Sequence, residues 1–137
     1  MAHSIVEFRG RFVRLHDLDI VAAALLLAEV LRRDATMQAP TKLRRNVLSW
    51  ETRFDEWGPG CVDLDLDSVL SDDVSIACFR TLLARAGTLL PAFGDIVPSD
   101  FLSSRLGLSN GSVGPLPTHL VQSALEQLGE LFSDTSA

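Results

Sequence analysis

Cysteine is scarce in this chain: Cys61 and Cys78 are the two it has in 137 residues. Two are too few for a disulfide framework, and they lack the close pairing of a structural zinc site, so the default setting is reducing and cytoplasmic. Long apolar runs are missing too, since Ile20–Leu31 falls short of the roughly 18 residues a membrane span needs. The opening residues MAHSIVEFRGRF show no apolar h-region and no small-residue cleavage site, which argues against a secretory signal. No internal repeat and no low-complexity segment is present. The three histidines, His3, His16 and His119, have no ligand spacing among them, and no metal or cofactor is expected.

What is present points to one mainly α domain over residues 1–137. Apolar residues make up 47% of the chain, with nine glycines besides, slightly rich for a globular domain, so a partner or a second copy could cover part of the surface. The organising stretch is Asp17–Arg33. From Ile20 to Leu31 its only polar residue is Glu29, and a helix apolar nearly all round belongs at the centre of a packed domain. Asp17 or Asp19 suits its first turn, and Arg32 and Arg33 suit the negative end of its dipole.

About five helices are expected around this centre, with a small two-stranded β element from residues 4–15 and 61–67. Residues 4–15 fit a strand face and a helical stripe; their β-branched residues and Gly10 favour a strand bulged at the glycine. From Thr41, the residues Leu43, Val47, Trp50, Phe54 and Trp57 recur at helical steps until Gly58-Pro59-Gly60 stops the helix. In CVDLDLDS, Val62, Leu64 and Leu66 alternate with Asp63, Asp65 and Asp67, the pattern of a half-buried strand with an acidic outer face. Ser71, Asp72 and Asp73 open a third long helix ending near Leu90, with Val74, Phe79, Leu82, Leu83 and Ala86 on its apolar side. A short helix over 99–106, a loop over 108–117 and a last helix over 118–132, with Leu120, Leu125, Leu128 and Phe132 inward, complete the order. Pairing of the two strand-like runs would set Arg9, Arg11 and Arg14 against Asp63, Asp65 and Asp67.

Candidate chemistry is sparse. The three alternating aspartates begin a calcium loop, but Ser68 stands where the turn glycine is required and Val74 where the bidentate glutamate is required. His16-Asp17 could orient an imidazole, yet adjacency is not triad geometry, and a helix-entry role explains it better. Cys61 and Cys78 have no neighbouring base in sequence that would mark a nucleophile. Glycines 107, 111 and 114 lack the strand and the Lys-Ser or Lys-Thr of a phosphate loop, and Asn110-Gly111-Ser112 is a sequon without a secretion signal.

Charge is the feature that leans towards function. The net charge is −6, which disfavours nucleic acid and anionic membranes and favours a basic protein partner. Residues 1–53 hold nine bases and six acids, whereas residues 54–137 hold three and twelve. Between Arg53 and Arg80 every charged residue is an acid: Asp55, Glu56, Asp63, Asp65, Asp67, Asp72 and Asp73. With Trp57 at its edge as an aromatic anchor, this run is the candidate partner-binding surface. Arg9, Arg11, Arg14, Lys42, Arg44 and Arg45 form a candidate basic patch opposite.

In size, acidity and general character the chain resembles small bacterial immunity proteins, acidic cytosolic domains that block a basic nuclease toxin by occupying it. That resemblance implies a non-enzymatic domain acting by toxin neutralisation. The alternatives are a small enzyme or ligand-binding domain with His16, Asp17 or His119 in a pocket of distant residues, and a homo-oligomeric adaptor, such as a homodimer.

Overall fold

A helix with no polar face has to be enclosed. In the computed structural model, which describes residues 3–34, 37–53, 60–98, 100–102 and 115–132, every residue from Ile20 to Leu31 is buried. This helix, α1 (Asp17–Arg33), is the one its composition predicts. Around it lie a hairpin, β1 (His3–Phe8) and β2 (Arg11–His16), then α2 (Thr41–Ser49) and the short α3 (Leu66–Val69). The long α4 (Asp73–Leu89) follows, then β3 (Ile96–Val97), β4 (Leu116–Pro117) and α5 (Thr118–Glu130). α1 packs against α4, α5, α2 and β2, and α4 packs against α5. The expected mainly α fold around a central apolar helix is the observed one; its small antiparallel β structure is the β1–β2 hairpin and, besides it, a two-residue pairing of β3 with β4, whose Leu116–Pro117 lies in a stretch expected to be loop.

An aromatic chain ties the outer elements together. Phe8 of the hairpin meets Phe132 at 4.9 Å between ring centroids, Phe132 meets Phe79 of α4 at 5.6 Å, and Phe79 meets Trp50 edge-on at 6.4 Å. All four side chains are buried, each contributing on the order of 1.5–3 kcal/mol through the area it hides from water. Trp50 is thus a core residue, on the turn of 3-10 helix (Trp50–Thr52) that follows α2. The stripe of Leu43, Val47 and Trp50 faces the core as expected. The regular α-helix nevertheless ends at Ser49, and Phe54–Pro59 lie outside the described residues.

Ion pairs close the C-terminal end of α1. Arg32 grips Glu51 with both arms of its guanidinium, Nη1 donating to Oε2 at 2.5 Å and Nη2 to Oε1. Arg33 Nε donates to Glu29 Oε2 at 2.6 Å, and Arg85 of α4 pairs with Asp34. Glu29 and Glu51 are both buried; the guanidiniums supply the compensation that buried carboxylates require. The two arginines expected to serve the helix dipole therefore also hold specific partners.

The α4 stretch, continued to Phe93, is long and apolar enough by length and composition to cross a membrane. Here Phe79, Leu82, Leu83 and Ala86 enter the common core, while Arg80, Arg85 and Val74 are exposed. Val74 and, on α5, Leu120 were expected inside and lie outside, at 67% and 40% exposure. Both lie out of phase with the buried face: in the same first turns it is Ser75 and Val121 that point inward.

The β element departs from expectation in its partner. Residues 61–67 form no strand: residues 61–65 are irregular, Asp65 is left-handed at φ 53°, and Leu66 begins α3. The alternation is real as burial, with Val62, Leu64 and Leu66 inside and the three aspartates outside. It does not specify pairing, because an alternating run makes a ladder only if a strand edge is offered in register. β1 has a nearer partner, and Gly10 is a turn residue, not a bulge. Arg9 at φ 51° and Gly10 at φ 83° form a two-residue turn with two left-handed positions, which matches the twist of the flanking strands. Phe8 then faces Arg11, Val6 faces Val13 and Ser4 faces Leu15.

A left-handed residue with a Cβ is strained. Gly10→Ala should lower stability by about 1 kcal/mol even though nothing lies within 4 Å of the added Cβ. Arg9→Asn keeps the main-chain N–H and should raise stability. Urea midpoints of the two variants, moving in opposite directions from the parent, are the check.

Candidate protein-interaction face

Main-chain geometry sets the acidic face before any charge is considered. Asp63 Oδ1 accepts the N–H of Asp65 at 2.8 Å, which holds the left-handed bend that turns the chain into α3. Asp67 Oδ1 accepts the N–H of Arg9 at 2.8 Å, fastening α3 to the hairpin turn. Asp72 caps α4, its Oδ1 accepting the N–H of Ser75 at 2.8 Å. Of the three residues that open the helix, Asp72 is the cap. These bonds from Ser75 are the main reason that the Asp72 carboxyl is held below the usual carboxylate value; Lys42 lowers it further.

Asp63, Asp65, Asp67, Asp72 and Asp73 are all exposed, on one stretch of chain between the hairpin and α4. The other proposed partner residues, Asp55, Glu56 and Trp57, lie outside the described residues. In space the face is not free of bases as its sequence is. Lys42 of α2 acts on Asp72, and Arg9 meets Asp67 through its backbone. The expected opposition of arginines and aspartates across a ladder is thus replaced by one main-chain contact.

Asp17 has a structural task. Its Oδ1 accepts from Ser4 Oγ at 2.5 Å, and its Oδ2 accepts from the N–H of Gly60 at 2.8 Å. Ser4 Oγ in turn accepts from the N–H of Val62 at 3.0 Å. The start of β1, the start of α1 and the chain entering the acidic face are joined at one point. Asp17 is committed there and does not orient the imidazole of His16.

The histidines, unrelated by sequence spacing, all act electrostatically on Asp19. His3 and His16 face each other across the hairpin with ring centroids 4.4 Å apart. Burial pushes the Asp19 carboxyl above its usual value, opposed by His16, His3 and His119. The hairpin register brings His3 to His16, a pairing that a single strand over residues 4–15 does not allow. Among the described residues no group of three or more histidine, cysteine, aspartate or glutamate side chains is arranged to hold a metal ion.

Cys61 is exposed at a surface cleft of about 530 Å³ shared with His3, Ile5, Arg14, Val62 and Asp63. Cys78 is half-buried on α4, where burial raises its thiol pKa against a smaller lowering by Arg44. Such a thiol is less nucleophilic at neutral pH. The outer face of the hairpin carries two exposed apolar side chains, Ile5 at 57% and Phe12 at 63%.

Two measurements test these assignments. Ser4 is 2% exposed, so Ser4→Ala leaves the Val62 N–H unpaired in the interior and should cost about 2 kcal/mol in chemical denaturation. Asp72→Ala should lower the melting temperature at neutral pH. Because the folded Asp72 carboxyl titrates below its ordinary value of 3.8, its contribution is present above that value and disappears as pH falls through the lowered one. Melting curves across that acid range should converge for parent and variant.

No protein-family model, no curated protein and no solved structure matches the chain.

Proposed function

We propose that the chain is a non-enzymatic protein-binding domain whose acidic stretch from Asp55 to Asp73 meets a basic protein partner. The observation that carries this reading is the exposure of Asp63, Asp65, Asp67, Asp72 and Asp73 on one short stretch of chain. Three of these carboxylates have their positions fixed by main-chain bonds. Carboxylates held in place present a standing field without the ordering cost that mobile side chains bear. Such a field speeds encounter with a cationic partner and is screened by salt. Trp57 supplies the aromatic anchor in this reading, and neutralisation of a basic toxin in a reducing cytoplasm, in the manner of an immunity protein, is its specific form.

The test uses the partner that copurifies with the tagged protein from its host, with association followed at low and high salt. Asp65→Asn and Asp73→Asn are the informative substitutions. Neither side chain accepts a hydrogen bond among the described residues, and asparagine tolerates the left-handed backbone of position 65. The pair should slow association several-fold at low salt and leave the melting temperature within a few degrees of the parent. An association rate insensitive to both salt and substitution, in a folded variant, would reduce the acidic stretch to a solubilising surface.

A further inference from the structure

Paired residues of an antiparallel ladder send their side chains to the same face, and so do residues two apart along one strand. The register therefore gives the hairpin an inner face, on which Ser4, Val6, Phe8 and Leu15 are buried, and an outer face that begins at the His3–His16 pair. Four exposed residues of that outer face form the corners of one patch. Ile5 stands opposite Arg14 and, two residues along, Glu7 stands opposite Phe12. Corners lie about 5 Å apart across the strands and about 7 Å apart along them, so the patch is nearly square. Its apolar residues, Ile5 and Phe12, occupy one diagonal, and its opposite charges, Glu7 and Arg14, occupy the other. Arg14 borders the cleft that holds Asp63. Among the described residues, however, neither Arg14 nor Glu7 takes part in an ion pair or a side-chain hydrogen bond.

We propose that this outer face docks on the same face of a second copy of the chain, about a two-fold axis that runs along the Ile5–Phe12 diagonal. Rotation about that line lays the face on its own copy. Ile5 and Phe12 then each meet their own counterpart, while the other two corners exchange, so that Glu7 of each copy meets Arg14 of the other and the contact is made twice. The strands of the two hairpins cross at close to a right angle, one of the two ways in which sheets pack face to face. The other two-fold axes in that plane do not serve. An axis along the strands sets Glu7 over Phe12, one across them sets Glu7 over Ile5, and one along the charged diagonal sets each charge on its like. The occupant is a second copy because the patch is its own complement in both charge and apolarity. Four side chains cover less than the roughly 800 Å² a side of a standard interface, so the association is weak and concentration-dependent. It does not rest on the acidic face having a partner.

Sedimentation equilibrium of the full chain in about 0.15 M salt, at concentrations up to about 1 mM, should show a reversible monomer–dimer equilibrium. Arg14→Glu and Glu7→Arg each turn two attractive contacts into two repulsive ones, and each should raise the dissociation constant about tenfold or more. An equal mixture of these two variants should associate again, because the axis sets both acids of one chain against both bases of the other. The double variant, Glu7→Arg with Arg14→Glu, should dimerise as the parent does. Phe12→Ser leaves the charges alone and should weaken the dimer several-fold. All three positions are exposed, and melting temperatures within a few degrees of the parent establish that the variants are folded. A chain that stays monomeric throughout this range, or a dimer indifferent to these substitutions, would overturn the proposal. So would single variants that lose the dimer without its return in the mixture and in the double variant, because the charges would then not be meeting across this axis.

Discussion

Everything in this molecule answers to the fact that α1 has no side it can show to water. A helix with one apolar stripe can lie on a surface; one buried from Ile20 to Leu31 needs neighbours on every side. The described elements supply them: α4 and α5 as long walls, α2 and its 3-10 turn near one end, and the hairpin near the other. The one charged residue on that buried run, Glu29, is tolerable because Arg33 sits a turn further on and reaches back to it. The same end of the helix is where Arg32 finds Glu51 and Asp34 finds Arg85. Polar contacts thus concentrate at the ends of the buried helix, where the chain leaves the core, and the middle is held by packing alone.

Much of this was legible in the residues. Asp17–Arg33 could be bounded to the residue because its composition changes abruptly at both ends, and α4 and α5 follow from their periodicity and flanking turn residues. What could not be read was pairing. The alternation through Asp63, Asp65 and Asp67 reports which side chains are wet, and the structure agrees with it residue by residue. Whether such a run joins a ladder depends on which edge is free, and that was settled elsewhere, by Arg9 and Gly10 taking left-handed conformations. Arginine is a poor signal for a left-handed turn position, so Gly10 alone could not distinguish a turn from a bulge.

The candidate site shows the same division. That the aspartates are exposed follows from the leucines between them. That Asp63, Asp67 and Asp72 are each committed to a main-chain N–H does not follow, because the partners of Asp67 and Asp72 are set by how the chain folds back and where α4 starts. Asp17, whose neighbour His16 suggested catalysis, is a junction of three segments. The contact of His3 with His16 appears only once the hairpin register is known. A charge-reversal experiment designed from the sequence would have struck the hairpin attachment at Asp67 along with the surface field. Asp65 and Asp73 separate the two.

The position of α1 along the chain has a consequence during synthesis. The helix is complete once Arg33 has been made, yet its walls α4 and α5 end only at Leu89 and Glu130. At ribosomal speeds the interval before α5 is finished is on the order of 10 s. Through that interval the nascent chain carries an apolar helix with only the hairpin, α2 and part of α4 to cover it, a segment of the kind that chaperones hold. Vulnerability to aggregation should therefore be greatest in translation and refolding, and least once Phe132 has closed against Phe8 and Phe79.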